Sequence, residues 1–114
     1  MVAGPSGFGG RVIWPEWVAS APDYGHVLYR LYDAEDQLLY IGLSGAPRNR
    51  LKAHWRKQPW RHEVVRSTFQ QIPPPAPGQV IGRHKYFAEE AAIKAEQPKY
   101  NVAGISRPYW VYDL

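Results

Sequence analysis

Two β-type runs on either side of a short polar segment restrict the fold more than any other feature of the sequence. The runs are "HVLYRLY" at 26–32 and "QLLYIGL" at 37–43, and both are rich in aromatic, aliphatic and β-branched residues. The acidic residues that form the polar turn between them are Asp33, Glu35 and Asp36. A hairpin with this turn sets Tyr29 directly opposite Tyr40 on the neighbouring strand. The sequence therefore predicts two phenol groups on one face of a hairpin.

Two helices and a third strand complete the predicted fold. Pro47 suits the first turn of a helix that continues over 48–57 and is ended by Pro59. A third strand is expected at about 65–70, and the alanine- and glutamate-rich segment 83–97 predicts the second helix. We therefore expect an α/β (α+β) domain in which a small three-stranded, mainly antiparallel sheet is flanked by helices.

The length of the chain and its changes in composition predict one domain with two flanking segments. A chain of 114 residues can bury a single modest core. The predicted organisation is a flexible, aromatic lead-in over 1–25, a folded domain over 26–102 and an aromatic tail over 103–114 that packs on the domain. The proline-rich stretch at 73–79 predicts an extended surface loop.

The positive charge of the chain is concentrated in one segment. The net charge of +4 favours a polyanionic partner. The candidate DNA-phosphate contacts in the basic segment are Arg48, Lys52, Arg56, Lys57 and Arg61. A solvated helix surface is the alternative explanation of this block. The chain has no run of apolar residues long enough for a membrane span, and its lack of cysteine is typical of a cytoplasmic protein.

Five short matches in order along the chain resemble the GIY-YIG nuclease superfamily. The segment "VLYRLYDAEDQLLYIGLS" resembles the paired motif of that family, with "VLY" in the first triplet and "YIG" intact. Arg50 and His54 follow at the family's spacing on the predicted helix, and "EEAAIKAEQPKYNV" resembles the glutamate-bearing helix with its closing Pro-x-Tyr-Asn. The resemblance covers about residues 26–102, and the "VLY" triplet and the proline-rich insertion depart from the family pattern.

The resemblance implies hydrolysis of DNA phosphodiester bonds with a divalent metal ion. The catalytic residues that it implies are Tyr29, Tyr40, Arg50, His54 and Glu89. Glu89 is the implied ligand of one Mg²⁺ or Mn²⁺, with Glu90 as its immediate competitor, and water and phosphate oxygens would supply the other ligands. Gly42 and Asn101 are the implied structural residues near the site, and we expect the Asn101 side chain to bond backbone there.

The chemistry of these residue types agrees with that activity. A phenol with a pKa near 10 is a weak base at neutral pH, but we expect Arg50, His54 and the metal ion to favour the phenolate. The tyrosine pair is therefore the predicted general base, and the sequence leaves open which of the two acts, with Tyr29 preferred over Tyr40. Arg50 offers a planar fork for the scissile phosphate. His54 either stabilises charge or relays a proton.

Structural roles are the alternatives for the same residues. The tyrosine pair can be ordinary sheet packing, and His54 can be a solvated helix residue. Glu89 can be a solvent-facing residue paired with Lys85 or Arg83.

Two other functions stay open at this point. One is a non-catalytic DNA-binding module on the same scaffold. The other is a protein-interaction domain that uses the aromatic tail residues Tyr109, Trp110 and Tyr112. The sequence contains no zinc finger or helix-turn-helix, so DNA specificity would come from this domain, from a homodimer or from a separate targeting protein.

Overall fold

The computed structural model of the protein describes residues 13–75, 77–78 and 82–101. Its elements are α1 (Glu16–Ala19), β1 (Val27–Tyr32), β2 (Leu38–Ser44), α2 (Pro47–Lys57), a 3₁₀ helix (Arg61–Glu63), β3 (Arg66–Gln71) and α3 (His84–Glu96). The strands form one sheet in the order β2-β1-β3, and both strand pairs are antiparallel. The predicted α+β fold, a three-stranded sheet flanked by helices, is confirmed.

The register of the hairpin differs from the predicted one. Tyr29 pairs with Gly42, and Tyr40 pairs with Leu31. The prediction that the two tyrosines face each other directly is therefore wrong. Along 27–31 and 40–44 the shift is two residues, which keeps these side chains on their original faces, so both phenols still lie on the same side of the sheet. Their ring centroids are 6.2 Å apart.

A turn longer than expected by one residue and a one-residue register shift between Leu31 and Tyr32 together explain this register. The backbone N–H of Asp33 donates to the carbonyl oxygen of Gln37, which closes the hairpin one residue later than predicted. The Asp33 carboxylate also accepts hydrogen bonds from the backbone N–H groups of Glu35 and Gln37, and Asp36 adopts a positive φ of 62°. The side chain of Asp33 thus organises the turn, as aspartate commonly does at this position.

Both faces of the sheet are covered by helices. One core lies between the sheet and the helices α1 and α2, and its buried members include Trp17, Val18, Leu31, Leu51 and Trp60. The second core lies between the sheet and α3 and contains Leu28, Ile41, Leu43 and Ile93. Alternate residues of β1 therefore enter different cores, as the two-residue period of a strand requires.

Helix α1 belongs to this packed body. Trp17 is buried, and its ring packs edge-on against Trp55 of α2 with 6.2 Å between ring centroids. The folded body therefore begins before residue 26, within the segment predicted as a lead-in. Residues 1–12 and the predicted tail at 103–114 lie outside the described residues.

Proline positions set the helix bounds much as the sequence predicts. Pro47 is the first residue of α2, and this helix ends at Lys57 because Gln58, which precedes Pro59, is extended. Helix α3 ends at Glu96, where Gln97 takes the left-handed conformation that caps helices.

An ion pair ties α3 to the central strand. Arg30 Nε and Nη2 donate to the two carboxylate oxygens of Glu96 at 2.8 and 2.7 Å, and Arg30 Nη1 donates to Gln70 Oε1 of β3 at 2.8 Å. Glu89 lies seven residues, or about two turns, before Glu96 on the same helix. This anchor therefore helps to fix the position of Glu89 against the sheet.

The proline-rich loop and the helix lengths complete the description. The described part of the loop, 73–75 and 77–78, has no regular structure and is largely exposed, as predicted. Within the part of the chain that the structure describes, no helix has both the length and the apolar character needed to cross a membrane.

Candidate functional site

Tyr29 lies at the centre of the candidate site. It stands in the middle of β1, and its side chain is fully buried. Its ring lies directly over Gly42 of β2, where a Cβ atom would overlap the Tyr29 phenol. Glycine at position 42 therefore makes the space that the phenol occupies, which gives this predicted structural residue a steric role.

His54 is the hydrogen-bond partner of Tyr29. It comes from α2, its side chain is only 2% exposed, and its Nε2 atom lies 2.7 Å from the Tyr29 hydroxyl oxygen. Burial, together with the positive charge of Arg50, lowers the pKa of His54 to about 3. The imidazole is therefore neutral at physiological pH, and we assign it the tautomer protonated at Nδ1, in which the Tyr29 hydroxyl donates to Nε2. The alternative of a solvated helix histidine is wrong for His54.

Arg50 stands one helical turn before His54 and faces both tyrosines. Burial lowers its pKa, but the neighbouring Tyr29 and Tyr40 hydroxyls raise the pKa above its usual range through charge interaction and hydrogen bonding. Arg50 therefore keeps its positive charge while half-buried. The spacing of four residues brings Arg50 and His54 to one face of α2, as the sequence predicts.

The ionisation of Tyr29 runs against the expectation from the sequence. Burial raises its pKa well above the usual range, and the nearby Tyr40 and Glu89 add to the rise, whereas Arg50 lowers it. The uncharged His54 contributes no positive charge. Arg50 thus favours the phenolate as predicted, but His54 does not, and burial outweighs Arg50, so among these residues Tyr29 is a neutral phenol.

Glu89 enters the site from α3. Its side chain is 2% exposed, and its charge acts on Tyr29. Glu90, the competitor for the metal role, is half-buried. The alternative that Glu89 faces solvent is wrong, and Lys85 bonds His26 instead. A buried carboxylate whose charge acts on Tyr29 is a donor that suits a hard cation such as Mg²⁺ or Mn²⁺. Within the described residues, His, Asp and Glu side chains form no group of three that could hold a metal ion.

Asn101 fixes the strand that carries Tyr40 and Gly42. Its Oδ1 atom accepts from the backbone N–H of Ile41 at 2.7 Å, and its Nδ2 atom donates to the carbonyl oxygen of Ile41 at 3.0 Å. Both groups are buried. The expected role of Asn101, bonding backbone near the site, agrees with this geometry.

An aromatic stack supports Tyr40, and sequence reasoning missed it. Tyr40 stacks on Trp60 with 5.3 Å between ring centroids, and Trp60 stacks on Tyr100 at 5.4 Å. The Tyr100 hydroxyl donates to the carboxylate of Glu63. The position of Tyr100 in the closing Pro-x-Tyr-Asn segment was the one signal that could have indicated it. Trp60, directly after Pro59, carried no such signal.

Most of the predicted DNA contacts on α2 have other partners. Arg48 donates from Nε to the carbonyl oxygen of Ala21 at 2.9 Å and pairs with Asp23 at 2.7 Å. Lys52 and Arg56 each lie 5.0 Å from the ring centre of Trp14. These three basic residues therefore help to hold the segment around α1 against α2.

Lys57 and Arg61 complete the set of predicted DNA contacts. Lys57 is exposed and lies seven residues after Arg50, so it shares a helix face with Arg50. Arg61 donates from Nη1 to the carbonyl oxygen of Gln58 at 3.0 Å, which occupies part of its guanidinium. Of the five predicted contacts, Lys57 is thus the one best placed beside Arg50.

A cleft of about 370 Å³ opens beside Arg50. Its polar lining residues are His26, Ser44, Asn49 and Arg50. The two tyrosines, His54 and Glu89 do not line it, so Arg50 is the member of the cluster that this cleft exposes.

Comparison with known proteins adds no assignment. No protein-family model matches the chain, and no curated protein matches it. The comparisons therefore leave the resemblance to GIY-YIG nucleases as a prediction from the sequence motifs.

Proposed function

We propose that the protein is a divalent-metal-dependent DNA endonuclease of the GIY-YIG type. The observation that carries this proposal is the meeting of five side chains from four elements around Tyr29. These side chains are Tyr29, Tyr40, Arg50, His54 and Glu89. Ordinary sheet packing explains a pair of tyrosines, but it does not require a buried histidine, a charged arginine and a buried glutamate beside them.

Arg50 is the proposed ligand of the scissile phosphate. It is charged and half-buried, and it borders an open cleft. A guanidinium can donate two parallel hydrogen bonds to phosphate oxygens, so Arg50 would both orient the phosphate and stabilise the charge that develops on it.

Tyr29 and His54 form the proposed proton relay. Because Tyr29 is a neutral phenol, it acts by exchange once DNA binding admits a water to its oxygen, which is buried in the free protein. The attacking water gives a proton to the phenol oxygen while the phenol passes its own proton to His54 Nε2. The resulting hydroxide attacks phosphorus, the bond from phosphorus to the leaving oxygen breaks, and that oxygen takes up a proton from solvent. A bound phosphate brings negative charge close to His54, and this charge raises the affinity of the imidazole for the proton. Tyr40, which is half-buried, stays the alternative base.

Glu89 is the residue that would hold Mg²⁺ or Mn²⁺, with water and phosphate oxygens as the other ligands. When bound, the ion supplies positive charge that offsets the negative charge developing on the phosphate. A single protein carboxylate is expected to bind the ion weakly until DNA contributes its own oxygens.

The wider setting follows from the same proposal. DNA is the partner, and a second copy of the chain or a separate targeting protein would supply specificity. The lack of cysteine favours the reducing cytoplasm as its location.

A non-catalytic DNA-binding module is the second candidate. The observation that favours it is the burial of Tyr29, His54 and Glu89, none of which lines the cleft beside Arg50. A module of this kind would bind DNA through Arg50 and Lys57 and would leave phosphodiester bonds intact.

Cleavage assays on several DNA forms test the proposal. The purified chain is incubated with supercoiled plasmid and with branched or flapped oligonucleotides, in Mg²⁺, Mn²⁺ or EDTA. We expect at least one substrate to be cut in Mg²⁺ or Mn²⁺ and none in EDTA. Salt-dependent binding without cleavage would support the second candidate. If the chain neither binds nor cuts DNA at low salt, both candidate functions are rejected.

A further inference from the structure

On another side of the cleft beside Arg50 lie two basic residues, His26 and its partner Lys85, which the nuclease proposal does not use. His26 precedes β1 and lines the cleft. Lys85, in the first turn of α3, donates from Nζ to His26 Nε2 at 3.0 Å. An ammonium carries three protons, so this hydrogen bond leaves two of them for another acceptor. Lys85 does not itself line the cleft, but its positive charge lies 3.0 Å from Nε2 of His26, which does.

The local backbone makes room for this pair. A Cβ atom on Gly45 would lie 3.0 Å from His26 Nε2, which is closer than side chains normally approach. Glycine at position 45 thus lets the imidazole lie against the turn between β2 and α2. The Lys85–His26 hydrogen bond joins the segment before β1 to α3.

Neutral donors complete the lining of the cleft. The Ser44 hydroxyl accepts from the backbone N–H of Ala46 at 3.0 Å and keeps its own proton to donate. Asn49 adds an amide. Among the described residues, no acidic side chain lines the cleft. A cleft with one arginine, a lysine-bearing histidine and neutral donors suits an anion with several oxygen acceptors.

We propose that this cleft contains a second phosphate subsite at the Lys85–His26 pair. This subsite binds the phosphodiester next to the scissile one on the same DNA strand. Arg50 holds the scissile phosphate at one side of the cleft, and the Lys85–His26 pair holds the neighbouring phosphate at the other. The proposal rests on the proposed nuclease function, because it assigns the second contact to the same strand. Lys85 and His26 act here in binding, so their loss should lower affinity more than turnover at saturating DNA.

Two lysines of α3 provide a matched test. Lys85→Met removes the charge beside His26, and Lys94→Met removes an exposed charge nine residues further along the same helix. Binding of a flapped oligonucleotide is measured by fluorescence anisotropy in EDTA between about 50 and 200 mM salt. We expect Lys85→Met to reduce the slope of log affinity against log salt by about one, while Lys94→Met stays close to wild type. Lys85→Arg, which keeps the charge, should restore most of the slope.

The outcomes separate this proposal from the nuclease proposal. If the wild type binds and cuts DNA but Lys85→Met and Lys94→Met bind alike, the subsite is wrong and the nuclease proposal stands. If the wild type does not bind DNA at low salt, both proposals fail. If Lys85→Met unfolds, the variants Lys85→Arg, His26→Gln and His26→Ala decide instead. Wild-type affinity in Lys85→Arg and His26→Gln, together with a lower affinity in His26→Ala, supports the subsite. Wild-type affinity in His26→Ala as well overturns it.

Discussion

The two faces of α2 carry basic side chains in opposite settings. On the inward face, Arg50 and His54 lie against the tyrosines of the sheet, where burial and neighbouring groups shift their pKa values. On the outward face, Lys52 and Arg56 lie on the ring of Trp14. A basic block in a sequence therefore need not act as one surface, because the partners of each side chain decide whether it can serve a ligand.

The largest expected effect concerns the phenol that the inward face contacts. Tyr29→Phe removes the hydroxyl that donates to His54, and we expect the cleavage rate to fall by roughly 10²- to 10⁴-fold, as for a lost general base. The variant also leaves the buried His54 Nε2 atom without its donor, so we expect a destabilisation of about 1–2 kcal/mol in urea unfolding.

Tyr32→Phe on the same strand is the control for this change, since Tyr32 is half-buried at the strand end and packs under Arg66. Its cleavage rate should stay close to wild type. A smaller loss in Tyr29→Phe than in Tyr40→Phe would transfer the base role to Tyr40. Wild-type rates in both would reduce the pair to sheet packing.

The next effect compares the two faces directly. Arg50→Lys keeps the charge but loses the planar fork, so turnover should fall by about 10²-fold while DNA affinity changes little. Arg56→Lys on the outward face should leave turnover unchanged, because that arginine contacts Trp14 rather than the site. Equal behaviour of the two variants in single-turnover kinetics would make Arg50 a general phosphate contact.

Burial of His54 predicts a pH dependence of stability. The folded-state pKa of about 3 lies below the usual value of 6.5, so the unfolded chain takes up a proton at a higher pH than the folded chain does. This contribution to stability is complete above pH 6.5 and is lost as the pH falls toward 3. Between pH 7 and pH 5 the expected loss in the free energy of unfolding is about 2 kcal/mol.

Urea unfolding at pH 7 and pH 5 measures this loss. His54→Gln should flatten the dependence by about the stated amount, whereas His62→Gln, at an exposed position, should keep it. The same pH dependence in His54→Gln and wild type would mean that other groups cause it.

The smallest expected effect concerns DNA affinity alone. Lys57 shares a helix face with Arg50, so Lys57→Ala should reduce the salt slope of DNA binding by about one. Lys52→Ala should change the slope less, because Lys52 lies on Trp14. A larger change in Lys52→Ala would assign the outward face to DNA.

Much of the fold was predictable because its signals are local. The alternating strands, the polar turn and the prolines at 47, 59 and 98 each act within a few residues, and the observed elements follow them. The register was missed because Asp33 organises a longer turn and because the strand pairing shifts by one residue between Leu31 and Tyr32, neither of which residue type alone determines.

The sequence predicted which side chains lie together in the candidate site, but it did not predict the protonation state of Tyr29. The motif resemblance predicts that Tyr29, Arg50, His54 and Glu89 lie in one site. The structure places Arg50, His54 and Glu89 around Tyr29. The neutral state of Tyr29 depends on burial by residues far apart in the chain. The stack of Trp60 on Tyr40 likewise depends on tertiary packing.

Plasmid nicking by Glu89→Gln tests the central claim most directly. Glu90→Gln, one residue further along α3, is the matched control, and supercoiled plasmid is followed over time in Mg²⁺ and in EDTA. The account predicts that wild type and Glu90→Gln nick the plasmid in Mg²⁺ only, while Glu89→Gln keeps its fold and its DNA affinity but loses nicking. Nicking by Glu89→Gln at the wild-type rate, or nicking by the wild type in EDTA, would contradict it.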